Sequence, residues 1–266
     1  MAIQTIRKGT LEYLAAEGIP VPHCFTTRFG GVSRGHLSSL NIAMHRGDDE
    51  EKVAENYRIL GEALGFDSKN AVHTRQTHSD IIRRVTRADC RGLDHRLYPE
   101  CDGLITNDPG TVLVVFTADC TPILLHDPVT GAVGAVHAGW RGTAADIAGK
   151  AVRAMVEEFG CKESDIRAAI GPNIGQCCFQ TDIDVPSAMV DAFGREAQAF
   201  IRQQDDKYYV NLKEINALAL RRAGVKNIEI STSCTMCENE RFWSHRVTGG
   251  QRGSQGAIIV CKEGIV

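Results

Sequence analysis

Val112 to Phe116 constrains the fold more than any other stretch: five apolar residues in a row, three of them valine, with no polar alternation. Such a run fits a strand buried on both faces. It leads into Ala118-Asp119-Cys120. A turn from Asp127-Pro128 to Gly131 precedes a second short apolar run, Val133 to Val136, which ends in His137. Trp140-Arg141-Gly142-Thr143 then opens a helix. The pattern predicts a thiol and an imidazole at the ends of two consecutive buried strands, where neither is needed to fill a core. It also sets a glycine-containing turn with an arginine at a helix N-terminus beside them, where anions bind.

Elsewhere strands and helices alternate irregularly. Asp48-Asp49-Glu50-Glu51 reads as an acidic helix start, with Val53, Tyr57, Leu60 and Leu64 on one face and Gly65 as the stop. A second helix is expected over residues 144–159, with Thr143 as N-cap and Gly160 just past its end. Two more are expected over 185–193 and 213–223. Strands are expected at 23–27, 81–85, 101–106, 166–170, 225–230 and 257–261; residues 11–19 read as either a short helix or a strand. Arg28 to Gly35 is a glycine-punctuated loop, better read as a turn than as a phosphate cradle. No repeat, low-complexity tract or linker interrupts the chain, so one mixed α/β domain over residues 1–266 is expected.

The formal net charge of -3 gives no electrostatic footprint for nucleic acid or an anionic membrane surface. No apolar stretch approaches membrane-spanning length. The first residues lack the apolar core of a secretion signal, so a cytoplasmic location is expected. There the ten cysteines are expected as reduced thiols, and their even count is no sign of disulfides.

Two histidines and a cysteine with a position left for water make a catalytic zinc arrangement. Cys120 and His137 supply two of these ligands. His78, in a polar segment before a strand, is the best third; His73, five residues earlier, should point elsewhere. On composition alone, a buried thiol and two hydrogen-bonded histidines is the favoured reading. Cys234-x-x-Cys237 is the competing metal or redox motif. A structural zinc wants a second such pair, and adjacent Cys177-Cys178 has the wrong spacing, so thiols that only pack are expected there.

Ala118-Asp-Cys-Thr-Pro-Ile-Leu-Leu125 followed by Gly134-Ala-Val-His-Ala-Gly-Trp-Arg-Gly-Thr143 resembles the laccase-domain, or polyphenol-oxidase-like, family, reassigned as purine nucleoside phosphorylases with adenosine deaminase activity. Thr26 to Ser33, Ser39-Leu-Asn41, Gln76-Thr-His78, Asp102-Gly-Leu104, Gly171-Pro172 and Cys234-Thr235 fit the same family in order. The resemblance implies a layered α/β (α+β) sandwich with mixed sheets flanked by helices. It implies a metal, usually assigned as zinc, on His78, Cys120 and His137. It also implies phosphorolysis of adenosine, inosine and methylthioadenosine to base and ribose 1-phosphate. The chain departs from the family at His45 to Asp49 and at His245, which bears on substrate preference.

Phosphorolysis needs an anion site, for which Arg141 is the first candidate, with Arg28 and Asn41 from the family segments beside it. Deamination needs an activated water, and Asp119 is the candidate proton carrier beside Cys120. Two other classes stay open. One is a copper phenol oxidase, since the same ligands accept copper; against it, only nine histidines are present and none is paired as His-x-His. The other is a metal-free hydrolase with Cys120 as nucleophile and His137 as base.

Overall fold

The structure, a computed structural model, describes residues 2–44 and 46–262. In chain order the strands are β1 (Ile3–Lys8), β2 (Leu11–Ala16), β3 (His23–Thr26), β4 (Ala71–His73), β5 (Ile82–Arg84), β6 (Gly103–Thr106), β7 (Val112–Thr117), β8 (Thr121–His126), β9 (Val133–Ala138), β10 (Arg167–Ile170), β11 (Gln180–Thr181), β12 (Ile201–Gln204), β13 (Lys207–Val210), β14 (Asn227–Ile230) and β15 (Gln255–Val260). The helices are α1 (Glu50–Leu64), α2 (Trp140–Ala144), α3 (Ile147–Phe159), α4 (Asp184–Phe193), α5 (Arg195–Gln198), α6 (Leu212–Arg222) and α7 (His245–Thr248). Among the described residues no helix is long and apolar enough to cross a membrane.

Two six-stranded mixed sheets, ordered β1-β2-β3-β15-β7-β4 and β14-β10-β8-β9-β6-β5, carry the fold, with a small third sheet, β11-β13-β12, at the side. Strand periodicity assigns each residue to a layer. In β7, Val112 and Val114 pack toward α1 with Tyr57 and Leu60, whereas Leu113 and Val115 face the other sheet. In β8 and β9, Leu124, Val133 and Ala135 meet them from the second sheet, while Ile123, Leu125 and Val136 pack on α3 and α6. The layers are therefore helix, sheet, sheet, helix. The unbroken apolar run at Val112 follows from this: both of its faces are covered.

Two expectations are corrected. The buried strand after Val112–Thr117 is not Val133–Ala138 but Thr121–His126, so Cys120 and His137 do not close consecutive strands. Pro122 hides β8 in the sequence, but it sits at the strand's second residue, where a ladder donor can be missing. The expected helix over 144–159 is two helices, α2 and α3, broken at Ala145-Asp146. Asp146 adopts the left-handed conformation (φ 59°), and Thr143 lies inside α2 rather than capping it. Gly160 does end α3, at φ 67°. Residues 11–16 form a strand. The 28–35 loop is held by packing: a side chain on Gly31 would meet Ser39 O at 2.3 Å and Asn56 Oδ1 at 2.5 Å.

A candidate metal and substrate pocket

Although β7 and β8 follow one another, they belong to different sheets. The turn between them, Ala118-Asp119-Cys120, steps across the sandwich at one end, with Asp119 at φ 84°. Antiparallel pairing of β8 with β9 sets Thr121 opposite Ala138 and Pro122 opposite His137. That register carries Cys120 to the end of β9, where His137 and Gly139 lie. The third residue arrives from the segment linking β4 in one sheet to β5 in the other. His78 is held there in the left-handed conformation at φ 59°.

The ligand atoms of His78, Cys120 and His137 lie within 4.8 Å of one another. His78 Nε2 is 3.8 Å from Cys120 Sγ, and the two imidazole rings meet edge to face at 5.1 Å. Asp102, fully buried, organises both histidines. It accepts from His137 Nδ1 at 2.7 Å, from the backbone N–H groups of Thr77 and His78 at 3.1 Å and Ser79 at 2.8 Å, and from the Ser79 hydroxyl at 2.7 Å. One carboxylate thus orients the His137 ring, turning its Nε2 toward Cys120, and folds the loop that presents His78. Burial works against ionised Asp102, but the bonds from His137 and Ser79 hold its carboxyl down at about 2. Burial likewise works against the Cys120 thiolate, yet His137 and then His78 bring the thiol down to about 6. Cys120 and Asp102 in turn raise His137 to about 9 against its own burial. A thiolate beside two imidazoles, one carboxylate-oriented, is a donor set suited to a borderline-soft cation.

His73 is elsewhere: it is buried between Tyr57, Tyr98 and Phe116, stacked on the Phe116 ring at 5.5 Å. Burial pushes it down to about 3.

The trio opens into a cavity of about 420 Å³. Phe116, Ile174 and Phe179 supply apolar wall; Arg46, Arg246 and Arg252 supply positive charge; His245 also lines it. Arg252 is only 9% exposed, and its Nε has no hydrogen-bond partner among the described residues. Burial, and then Arg46 beside it, lowers its guanidinium to about 10.

The anion candidates read from the sequence are not among the residues lining this cavity. Arg141 is exposed, its guanidinium 4.2 Å from the Trp140 ring centre. Arg28 lies over Trp243 at 4.0 Å and donates to Asn239 O. Asn41 is buried and structural: it donates to Asp48 Oδ2 and Ala43 O and accepts from Ser254 N. Asp119 lines the pocket, but its carboxylate is engaged. It accepts from the Thr235 hydroxyl at 2.6 Å, the Ser244 hydroxyl at 3.1 Å and the Arg246 amide at 2.7 Å. That makes it a clamp on three segments rather than a free proton carrier.

Three other arginines thus line the pocket. Arg46 stands next to His45, which lies outside the described residues. Arg246 and Arg252 bracket the glycine turn after Trp243, and that pairing of arginines around glycines was the available signal. The structure also corrects the reading of the remaining cysteines. Cys177, Cys178, Cys234 and Cys237 do not merely pack apart: their sulfurs converge within 4.8 Å.

Comparison with known proteins gives the chain's relatives. The family model described as multi-copper polyphenol oxidoreductase laccase matches residues 22–262. Purine nucleoside phosphorylase YlmD of Geobacillus stearothermophilus is 40% identical over 90% of this chain and 89% of its own. Purine nucleoside phosphorylase YlmD of Bacillus subtilis is 36% identical over 90% of this chain and 88% of its own. The crystal structure of the Bacillus licheniformis hypothetical protein YfiH superposes with a TM-score of 0.91 at 35% identity, covering 97% of this chain and 99% of that one.

Proposed function

Since this chain belongs to the multi-copper polyphenol oxidoreductase laccase family, and relatives of similar length carry the name purine nucleoside phosphorylase, we propose that it cleaves purine nucleosides with phosphate. Adenosine, inosine and methylthioadenosine are the substrates in this reading, with adenosine deamination as a second activity of the same pocket. One observation carries it. A buried arginine with an unused donor, beside two further arginines, shares a half-apolar cavity with a His-Cys-His trio.

The chain's own residues divide the work. Arg46, Arg246 and Arg252 bind the phosphate and hold one oxygen near the sugar. Three cations in one pocket repel one another, and an anion between them relieves that repulsion. The purine lies against Phe116 and Phe179. Phosphate oxygen forms a bond to the anomeric carbon as the bond to the purine nitrogen breaks, and the electron pair leaves with the base. His245, at the rim, donates an N–H to that nitrogen. His78, Cys120 and His137 would hold zinc, which when bound would supply Lewis acidity and an activated water. Asp102 keeps His137 in the tautomer that leaves Nε2 available.

The test is release of hypoxanthine and ribose 1-phosphate from inosine, dependent on added phosphate. Arg252→Met should raise the KM for phosphate roughly tenfold or more, in line with loss of a charge-assisted contact, while zinc content stays constant. Phosphate-independent turnover, or an unchanged KM in the variant, rejects the anion site.

One observation favours a second reading. Cys120, His137 and Asp102 stand in the order of nucleophile, base and orienting carboxylate. A metal-free thiol hydrolase would use those three and give His78 no role. Hydrolytic activity that survives chelation but not Cys120 alkylation would support it. Oxygen-dependent oxidation of a phenol, restored only by copper, would favour the oxidase reading instead.

A further inference from the structure

We propose that Cys177, Cys178, Cys234 and Cys237 form a second metal centre, a four-thiolate zinc site that joins two loops behind the pocket. The sulfurs of these four residues all lie within 4.8 Å of one another. Cys237 Sγ is 3.6 Å from Cys177 Sγ and 3.3 Å from Cys178 Sγ. Four sulfurs around one zinc, at about 2.3 Å each and tetrahedral angles, stand about 3.8 Å apart. The observed spacings match a mononuclear ion and are too tight for the cage of an iron–sulfur cluster. All four are free thiols.

The surroundings direct backbone N–H donors at one of the sulfurs. The backbone N–H of Gly175 donates to Cys234 Sγ at 3.1 Å. The backbone N–H groups of Cys237 and Met236 also point at that sulfur. N–H groups aimed at sulfur, from residues two and three after the first cysteine of a Cys-x-x-Cys turn, stabilise a metal-bound thiolate. Filling the site with a divalent ion releases four thiol protons and leaves two negative charges. Lys213 supplies an offset. It is buried and donates from Nζ to Ser231 O and to Ser233 O, the residue before Cys234, at 2.8 and 2.5 Å.

The placement gives the ion a task. The loop carrying Cys177 and Cys178 also carries Ile174 and Phe179, which line the substrate pocket. The loop carrying Cys234 and Cys237 also carries Thr235, whose hydroxyl donates to Asp119 and whose backbone N–H donates to Asn173 O at 2.9 Å. Joining the two loops fixes the pocket wall opposite Phe116 without touching the His-Cys-His trio.

The experiment is a metal count on protein purified under reducing conditions. The unaltered chain should hold two zinc ions, Cys120→Ser one, and the double variant Cys177→Ser/Cys178→Ser one. Cobalt loaded into Cys120→Ser should give the intense sulfur-to-cobalt charge-transfer absorption of four thiolates, which the other centre, with its single cysteine, cannot give. One zinc in the unaltered chain, unchanged by the double variant, overturns the proposal. So does an intact mass two hydrogens below the reduced chain, which means a disulfide. Should the double variant not fold, the zinc count of the unaltered chain and the cobalt spectrum of Cys120→Ser decide alone. Phosphorolysis can fail while this count holds, so the two readings fall separately.

Discussion

Asp102 concentrates the argument at the scale of single residues. Its carboxylate takes five hydrogen bonds, three of them from backbone amides of the His78 segment. Asp102→Asn keeps the shape but turns an NH2 group toward donors. Zinc affinity, measured by chelator competition, should fall roughly 10- to 100-fold, as for loss of a carboxylate behind a metal-bound histidine. Denaturant stability should fall by about 2 kcal/mol, the cost of buried donors left without an acceptor. Unchanged zinc affinity would mean that His137 is oriented by packing alone. The contrast with Asp119 explains what the sequence conceals. Both are aspartates beside a cysteine, at 101–102 and 119–120. Which one orients a histidine and which one clamps Thr235, Ser244 and Arg246 depends on partners more than a hundred residues away for Asp119 and thirty-five away for Asp102. Spacing along the chain carries no record of that. His78, Cys120 and His137 were legible because each stands at a strand end or before a strand, in residue types that a core does not require. Arg252 was not, because an arginine near glycines usually remains in solvent.

At the scale of elements, the closest packing around the trio is at Gly139, the residue that precedes α2. Its backbone is ordinary, φ -70°, so glycine is not needed for conformation. It is needed for space: a side chain there would stand 2.6 Å from His78 Cδ2 and 3.5 Å from Cys120 Sγ. Gly139→Ala should therefore displace the His78 ring while leaving α2 in place. The expected outcome is weaker zinc binding, roughly tenfold or more, with stability of the metal-free protein within about 1 kcal/mol of the parent. A large loss of metal-free stability would show that the helix, not the ring, had yielded. α1 was legible to within a residue, since Asp49 caps it and Gly65 stops it at φ 76°. The break between α2 and α3 was not, because it rests on a left-handed aspartate, Asp146, in a run that otherwise keeps helical periodicity.

On the scale of the whole molecule, three buried histidines among the described residues are held neutral. Burial lowers His73 to about 3 and His126 to about 4, and it lowers His23 as well. His23 donates from Nδ1 to Val21 O and accepts at Nε2 from the Ala16 amide, a pattern lost on protonation. In the unfolded chain each takes a proton near pH 6.5. The unfolded state therefore binds more protons below that pH, and stability falls as pH drops from about 6.5 toward 4. Each histidine adds a slope of about 1.4 kcal/mol per pH unit within its window. Urea midpoints across that range should decline with acid even when zinc is absent. A flat profile would mean that these histidines are already shielded in the unfolded chain. The layered class was readable from the covered run at Val112. The pairing order was not, because it needs β15, at the far end of the chain, to enter between β3 and β7.

The step of the chain from one sheet to the other at Ala118-Asp119-Cys120 has a consequence for how the sandwich opens. Sulfur sits on that step, His137 closes a strand of one sheet, and His78 lies on the strap that ties the sheets together. A cation shared by the three would work as a rivet through the mouth of a two-leaved shell. Stripping it should let the leaves breathe at that mouth. In deuterium exchange read by mass spectrometry, amides near 77–79, 117–121 and 137–139 should then exchange faster, while those under α1 keep their protection. Uniform acceleration, or none, would mean that the hinge is held shut by its hydrogen bonds alone.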